Sequence, residues 1–189
     1  MAGRKPADAF REFRESIQEA IACFAHTGVT GTSQTPGEIG ILTVNRGNPL
    51  SLKTTGCQIE ITCSIRYTIL QTGNRGSDNW RVSTVSYVHT VALDGDLSVA
   101  FHWHPDDGSD VWYPHIHPFF LGSGRDQGGI HIPSGRVLVE DVLIFAHERG
   151  AVPLKDDWQK VVSRIKGRVA QKATWGAPTS HIYRTQPEK

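Results

Sequence analysis

Between Cys57 and Ile69 apolar and polar residues alternate without interruption. The odd positions are Cys, Ile, Ile, Cys, Ile, Tyr and Ile, and the even positions are Gln, Glu, Thr, Ser, Arg and Thr. Side chains of an extended chain project alternately to opposite faces, so this run demands a long strand with one face on a core and the other open. A polar turn follows at residues 72–79, and then a second strand over residues 81–93. Asp94-Gly95 separates that strand from a third over residues 96–104. Asp-Gly between two alternating runs is a strong hairpin signal, because both turn residues must adopt positive φ. Residues 57–104 therefore read as an antiparallel meander.

Amphipathic strands of this length need a cover, and the chain supplies helical patterns for it. In residues 7–25, Phe10, Phe13, Ile17, Ala20, Ile21 and Phe24 recur at helical spacing, with charged residues on the other faces. Gly28 and Gly31 end this helix, residues 29–38 read as a loop, and Ile39 to Asn45 as a short strand. Residues 136–149 read as a helix capped by Ser134 and ended by Gly150. Another helix starts at Asp156 or Asp157, with Trp158, Val161, Val162, Ile165 and Val169 as its apolar stripe. The expected fold is α+β: an antiparallel β-meander sheet covered by an N-terminal helix and two C-terminal helices. One domain over residues 1–189 is expected, with an irregular tail at 173–189.

Composition narrows the class. The 189 residues are 38% hydrophobic and 21% charged, with net charge +1, which fits a globular chain and excludes a globally basic one. No apolar run approaches the roughly 18 residues of a membrane span, so no membrane partner is expected. The basic first residues lead into a charged amphipathic segment rather than an apolar one, so no signal peptide is expected. Cys23, Cys57 and Cys63 form no CxxC pair and read as buried thiols of a cytoplasmic protein.

The candidate site is a histidine cluster. Nine histidines occur, and five of them lie between residues 102 and 131. His102-Trp103-His104 is an HxH on a strand. Pro114-His115-Ile116-His117-Pro118 is a second HxH in a stretch its prolines keep extended, and Gly129-Ile130-His131 adds a fifth. Residues i and i+2 of a strand share a face, so each HxH aims two imidazoles the same way. An unbroken two-residue hairpin at Asp94-Gly95 would set Tyr87 opposite His102. Tyr87 and His89 are then expected on the open face beside His102 and His104.

Three kinds of chemistry suit such a cluster. Neutral imidazoles, with a carboxylate from Asp106, Asp107, Asp110 or Glu140, could bind zinc or manganese; His102, His104, His115, His117 and His131 are the candidate ligands. Without a metal, His102 with His115 or His117 could act as acid and base on an RNA 2′-hydroxyl and its leaving oxygen. Arg125 and Arg136 would then hold phosphate, aided by main-chain N–H groups of the Gly-rich stretch 122–129. The bland alternative is that the histidines hold loops by hydrogen bonds, the expected role of His26, His147 and His181. Trp103, Trp112, Tyr113, Phe119 and Phe120 flank the cluster and read mainly as packing residues, though a base could stack there. The HExxH and GxSxG patterns are absent. Residues 155–189 hold eight Lys or Arg against three Asp or Glu, which is either a phosphate-docking surface or a solvated helix face.

The run Phe101-His102-Trp103, then Tyr113-Pro114-His115-Ile116-His117, then His131-Ile132-Pro133-Ser134-Gly135 and the helix after it, resembles the core of the TumE-like toxins of toxin–antitoxin modules. The likeness covers roughly residues 97–150. It implies a growth-arresting protein acting on RNA and neutralised by an antitoxin partner, with His102, His115, His117 and His131 as site positions. The chain departs from that pattern by its long N-terminal helix and strand, its Gly-rich insert before His131 and its helix after residue 155. The functional expectation is a toxin- or defence-type protein that cleaves RNA or DNA, with Tyr87, His89, Arg125 and Arg136 on substrate. The alternative is a non-catalytic subunit that binds a protein partner through its open sheet face.

Overall fold

The computed structural model describes residues 2–72, 79–105, 111–118 and 130–172. The expected polar turn 72–79, the Gly-rich stretch 122–129 with Arg125, the residues Asp106, Asp107, Asp110, Phe119 and Phe120, and the tail 173–189 lie wholly or mostly outside them. Among the described residues, three helices cover one face of a nine-stranded antiparallel sheet, which is the expected α+β meander. No described helix is long and apolar enough to cross a membrane.

The long alternating run forms β5 (Ile59–Gln71), and the second and third meander strands are β6 (Trp80–Leu93) and β7 (Asp96–Trp103). Asp94 and Gly95 join the last two with φ of 52° and 85°, the left-handed pair that a two-residue hairpin needs. The sheet continues on both sides. β3 (Ile39–Val44) pairs with β5 and carries β2 (Val29–Gly31) on its outer edge, where the sequence reads as loop. β4 (Leu50–Leu52), also unforeseen, extends that side along the start of β5. At the other side β8 (His115–Pro118) pairs with β7, and β9 (Ile132–Pro133) pairs with β8. A two-residue β1 (Ala2–Gly3) pairs with the start of β6.

The helices are α1 (Pro6–Ile21), α2 (Val139–Glu148) and α3 (Trp158–Lys172). Phe10, Ile17 and Ile21 of α1, Val142 and Leu143 of α2, and Val162 and Ile165 of α3 bury themselves over Ile59, Ile61, Cys63, Tyr67 and Ile69 of β5. Burial of this apolar surface drives the assembly. The cap of α2 differs from expectation. Ser134 Oγ donates to the Gly135 carbonyl, and α2 begins later, where Asp141 accepts the Leu138 N–H at 2.8 Å. Lys166 of α3 ion-pairs with the same carboxylate and ties the two helices together.

One register correction decides the site. Tyr87 stands opposite Trp103, and His102 stands opposite Val88, because Ser98 is an extra residue in β7 between the pairs Ala92–Leu97 and Val91–Val99. The reason lies in β5. Its ladder with β6 sets Val91 beside Ile61, His89 beside Cys63 and Tyr87 beside Ile65, so all three β6 residues face the helices. An unbroken hairpin would align His102 and His104 with that buried row and turn Phe101 and Trp103 outward. Burying an aromatic side chain is worth about 1.5–3 kcal/mol. The bulge swaps the faces: Val99 and Phe101 are buried, and His102 and His104 lie on the side the helices leave uncovered. Tyr87 and His89 are therefore core residues at 3% and 1% exposure, and not part of an open polar patch.

Candidate metal centre

Three short strands bring the imidazoles together. His102 and His104 share the uncovered face of β7 as i and i+2. In β8, His115 is the direct partner of His102, and His117 is the partner of Ala100, so both project to that same face. Ala100 is small and buried and leaves room for the rings beside it. His131 precedes β9 and completes the group. Ring centroids lie 4.7 Å apart for His102–His117, 4.8 Å for His115–His117, 4.8 Å for His115–His131 and 4.5 Å for His117–His131. His104 borders the group, 5.1 Å from His115 and 5.9 Å from His102. The rings mostly meet edge to face, so the cluster is not a stacked column.

His102, His115 and His117 each present a ring nitrogen, and these three atoms all lie within 4.8 Å of one another. The group could hold a metal ion. His115 is the best prepared of the three. It is fully buried, and its Nδ1 lies 2.8 Å from the Tyr113 carbonyl oxygen. A carbonyl only accepts, so Nδ1 carries the proton and donates it. Nε2 is then a bare lone pair, and it is buried with no hydrogen-bond partner. An unsatisfied buried acceptor costs about 1–3 kcal/mol. Metal-bound imidazoles characteristically have this arrangement, with the distal N–H on a carbonyl and the other nitrogen free to ligate.

The electrostatics favour the neutral form of His102 and of His115. The pKa of His102 is lowered to about 4, first by burial and then by the neighbouring imidazoles, His117 foremost. That of His115 is also lowered, chiefly by burial, with the Tyr113 carbonyl opposing and His117, His131 and His104 adding to the shift. Imidazole is a metal ligand only in its neutral form.

The remaining candidates sit elsewhere. Tyr87 and His89 lie behind the cluster, on the helix side of the sheet, with their rings stacked at 4.9 Å. Burial lowers the pKa of His89 to about 3, and its Nδ1 has no partner. Arg136 lies with its guanidinium carbon 3.6 Å from the centre of the Trp103 ring, and Trp103 points to the opposite face from His102 and His104. Glu140 belongs to α2 and is buried on the core side, near the Cys63 thiol, whose pKa is raised to about 12 first by its own burial and then by the Glu140 charge. Among the described residues no carboxylate joins the histidine group. Among the described residues, the Tyr113 carbonyl is a contributor with no sequence signal, because every residue carries a carbonyl and the bend before Pro114 aims this one. Comparison of the chain with family models, with curated proteins and with solved structures returns no match.

Proposed function

We propose that this protein is a divalent-metal-dependent nuclease of the toxin or defence type, with zinc or manganese held by His102, His115 and His117. The observation that carries the reading is the buried, unpartnered Nε2 of His115, with two further imidazole nitrogens within 4.8 Å. Three neutral imidazoles are a donor set of catalytic zinc centres, which keep a position for water or substrate. Zinc in such a set lowers the pKa of bound water toward 7 and polarises a phosphoryl oxygen. The Tyr113 carbonyl fixes the tautomer of His115, and His102 and His117 close the set from two adjacent strands. His131 and His104, beside the ligands, would hydrogen-bond the anionic substrate.

The lowered pKa values favour this over metal-free acid–base cleavage. That mechanism needs one imidazolium at neutral pH, and a His102 titrating near pH 4 is neutral there. The nucleic-acid substrate rests on the chemistry of the site and on the likeness to TumE-type toxins. A second reading, a subunit that docks a protein through its sheet, is favoured by Val88 and Ile41, which stand exposed on the uncovered face at 42% and 41%.

The test is incubation of the purified protein with RNA and with DNA, with zinc, with manganese and with chelator, beside a His102→Ala/His115→Ala double variant. Elemental analysis of the purified protein accompanies it. Metal-dependent cleavage by wild type and none by the variant is the expected result. Equal cleavage by both, or bound metal without cleavage of either nucleic acid, removes the nuclease reading; the latter outcome leaves the partner-binding one.

A further inference from the structure

The ligand strand β8 has only four residues, and it lies between β7 and the two-residue β9. Two of the three ligands ride on it, so their positions depend on what holds β9 in place. The segment that leaves β9 toward α2 is fastened at successive residues. The Ser134 N–H donates to the Pro114 carbonyl at 2.8 Å, directly before the β8 ligands. The Arg136 guanidinium lies over the Trp103 ring, 3.6 Å from guanidinium carbon to ring centre. The Val137 N–H donates to the Tyr87 hydroxyl at 2.9 Å, and the Leu138 N–H to Asp141.

Trp103 occupies the position between His102 and His104 on β7 and projects to the reverse face. Tyr87 is its cross-strand partner, with ring centroids 6.2 Å apart. The clasp therefore sits directly behind the histidines and ties the far side of β8 to the strand that carries His102. Tyr87 is itself immobilised by stacking on His89, with ring planes only 9° apart. The guanidinium of Arg136 is partly buried, and its pKa is lowered by desolvation and raised by Tyr87. Desolvation of a cation is costly, and an aromatic face returns part of that cost as a cation–π contact.

We propose that Tyr87 and Arg136 are positioning residues for the metal centre: by clasping segment 134–138 behind β7 they hold β8 at the spacing that lets His115 and His117 converge on His102. The inference rests on the metal reading of the cluster. Outer-sphere residues that orient ligands typically control metal affinity by 10–100-fold, and here the control would act through strand placement rather than a hydrogen bond to a ring.

The test compares wild type, Tyr87→Phe, Arg136→Ala and, as a control on the open face of β5, Arg66→Ala. Zinc affinity is measured by competition with a chromophoric chelator, and ligand geometry by the visible spectrum of the cobalt-substituted protein. Tyr87→Phe keeps the ring and its stacking and removes only the hydroxyl. The expected result is a zinc Kd raised about tenfold or more in Tyr87→Phe and in Arg136→Ala, with an altered cobalt spectrum. Arg66→Ala should match wild type, and the metal-free variants should unfold as cooperatively as wild type. A Kd within about twofold of wild type in Tyr87→Phe overturns the proposal, and so does a loss confined to metal-free stability. If Arg136→Ala fails to fold, Tyr87→Phe decides alone. A wild type that binds no zinc removes the metal reading itself, before any variant is compared, and this inference with it.

Discussion

His102 of β7 stands directly opposite His115 of β8, their ring centroids 5.6 Å apart on the face the helices leave bare. The pair is set by antiparallel register, and His117 joins it because i and i+2 share a face. The candidate site thus takes two ligands from β8 and one from its neighbour β7.

Removing a ligand should abolish tight metal binding without unfolding the sheet. His102→Ala and His115→Ala are each expected to weaken zinc binding by at least about 100-fold, the upper range for residues one shell further out. His26→Ala, an exposed histidine after α1, should leave it unchanged. Chelator competition measures both. Zinc at 100 times its Kd should raise the unfolding free energy of wild type by about 2.7 kcal/mol. An unchanged Tm on adding zinc would count against a preformed site.

The His102 ring should be neutral well below pH 7. In the metal-free protein His102 should titrate near pH 4, followed through its ring C–H resonance in NMR spectra. His117 is the largest of the neighbouring charges that lower this pKa, so His117→Ala should move the midpoint up toward the ordinary histidine value. A His102 midpoint at or above 6 in wild type would contradict the burial and crowding described here.

Two core groups should impose opposite pH dependences on stability. The His89 pKa is lowered to about 3, so between pH 6.5 and 3 the unfolded chain binds the extra proton, and stability falls on acidification. The whole shift corresponds to roughly 4–5 kcal/mol. The Glu140 pKa is raised to about 7, mainly by burial. Between pH 4.5 and 7 the folded state binds that proton more tightly, so stability falls as pH rises through this window. The two effects oppose each other from pH 4.5 to 6.5. Glu140→Gln should be more stable than wild type at pH 8 and should uncover the acid-side slope of His89. Denaturant melts at successive pH values test this; a variant curve parallel to that of wild type would remove the role assigned to Glu140.

The hairpin that feeds β7 should be sensitive at one position. Gly95 has φ of 85° with open space around its Cα, so Gly95→Ala costs backbone strain and no clash. A loss of about 1–2 kcal/mol is expected, with zinc affinity retained, because the bulge at Ser98 and the β5 pairing still set the register of His102. Loss of metal binding in this variant would show that the turn, and not the bulge, sets that register.

Much of this molecule was legible because its signals are local. The alternation through β5, the Asp94-Gly95 turn and the helical spacing of Phe10, Ile17 and Ile21 each depend on residues a few positions apart, and all three hold in the fold. The two HxH pairs likewise announced which imidazoles would share a face. Short strands such as β4 and β9 were not visible, since two or three residues carry no period and become extended only because a neighbouring edge offers hydrogen bonds.

The amino-acid order alone determined the α+β meander, the long strand and the grouping of histidines by strand parity, because parity is a property of one chain segment. Only the tertiary structure decided which face each strand of the hairpin shows. A single extra residue at Ser98 reverses the pairing, and whether it is extruded depends on the competition between burying Phe101 and Trp103 and burying His102 and His104. That competition is settled by β5 and the helices above it, tens of residues away. The same long-range packing moved Tyr87 and His89 from the expected open patch into the core and left the five imidazoles together on the opposite side.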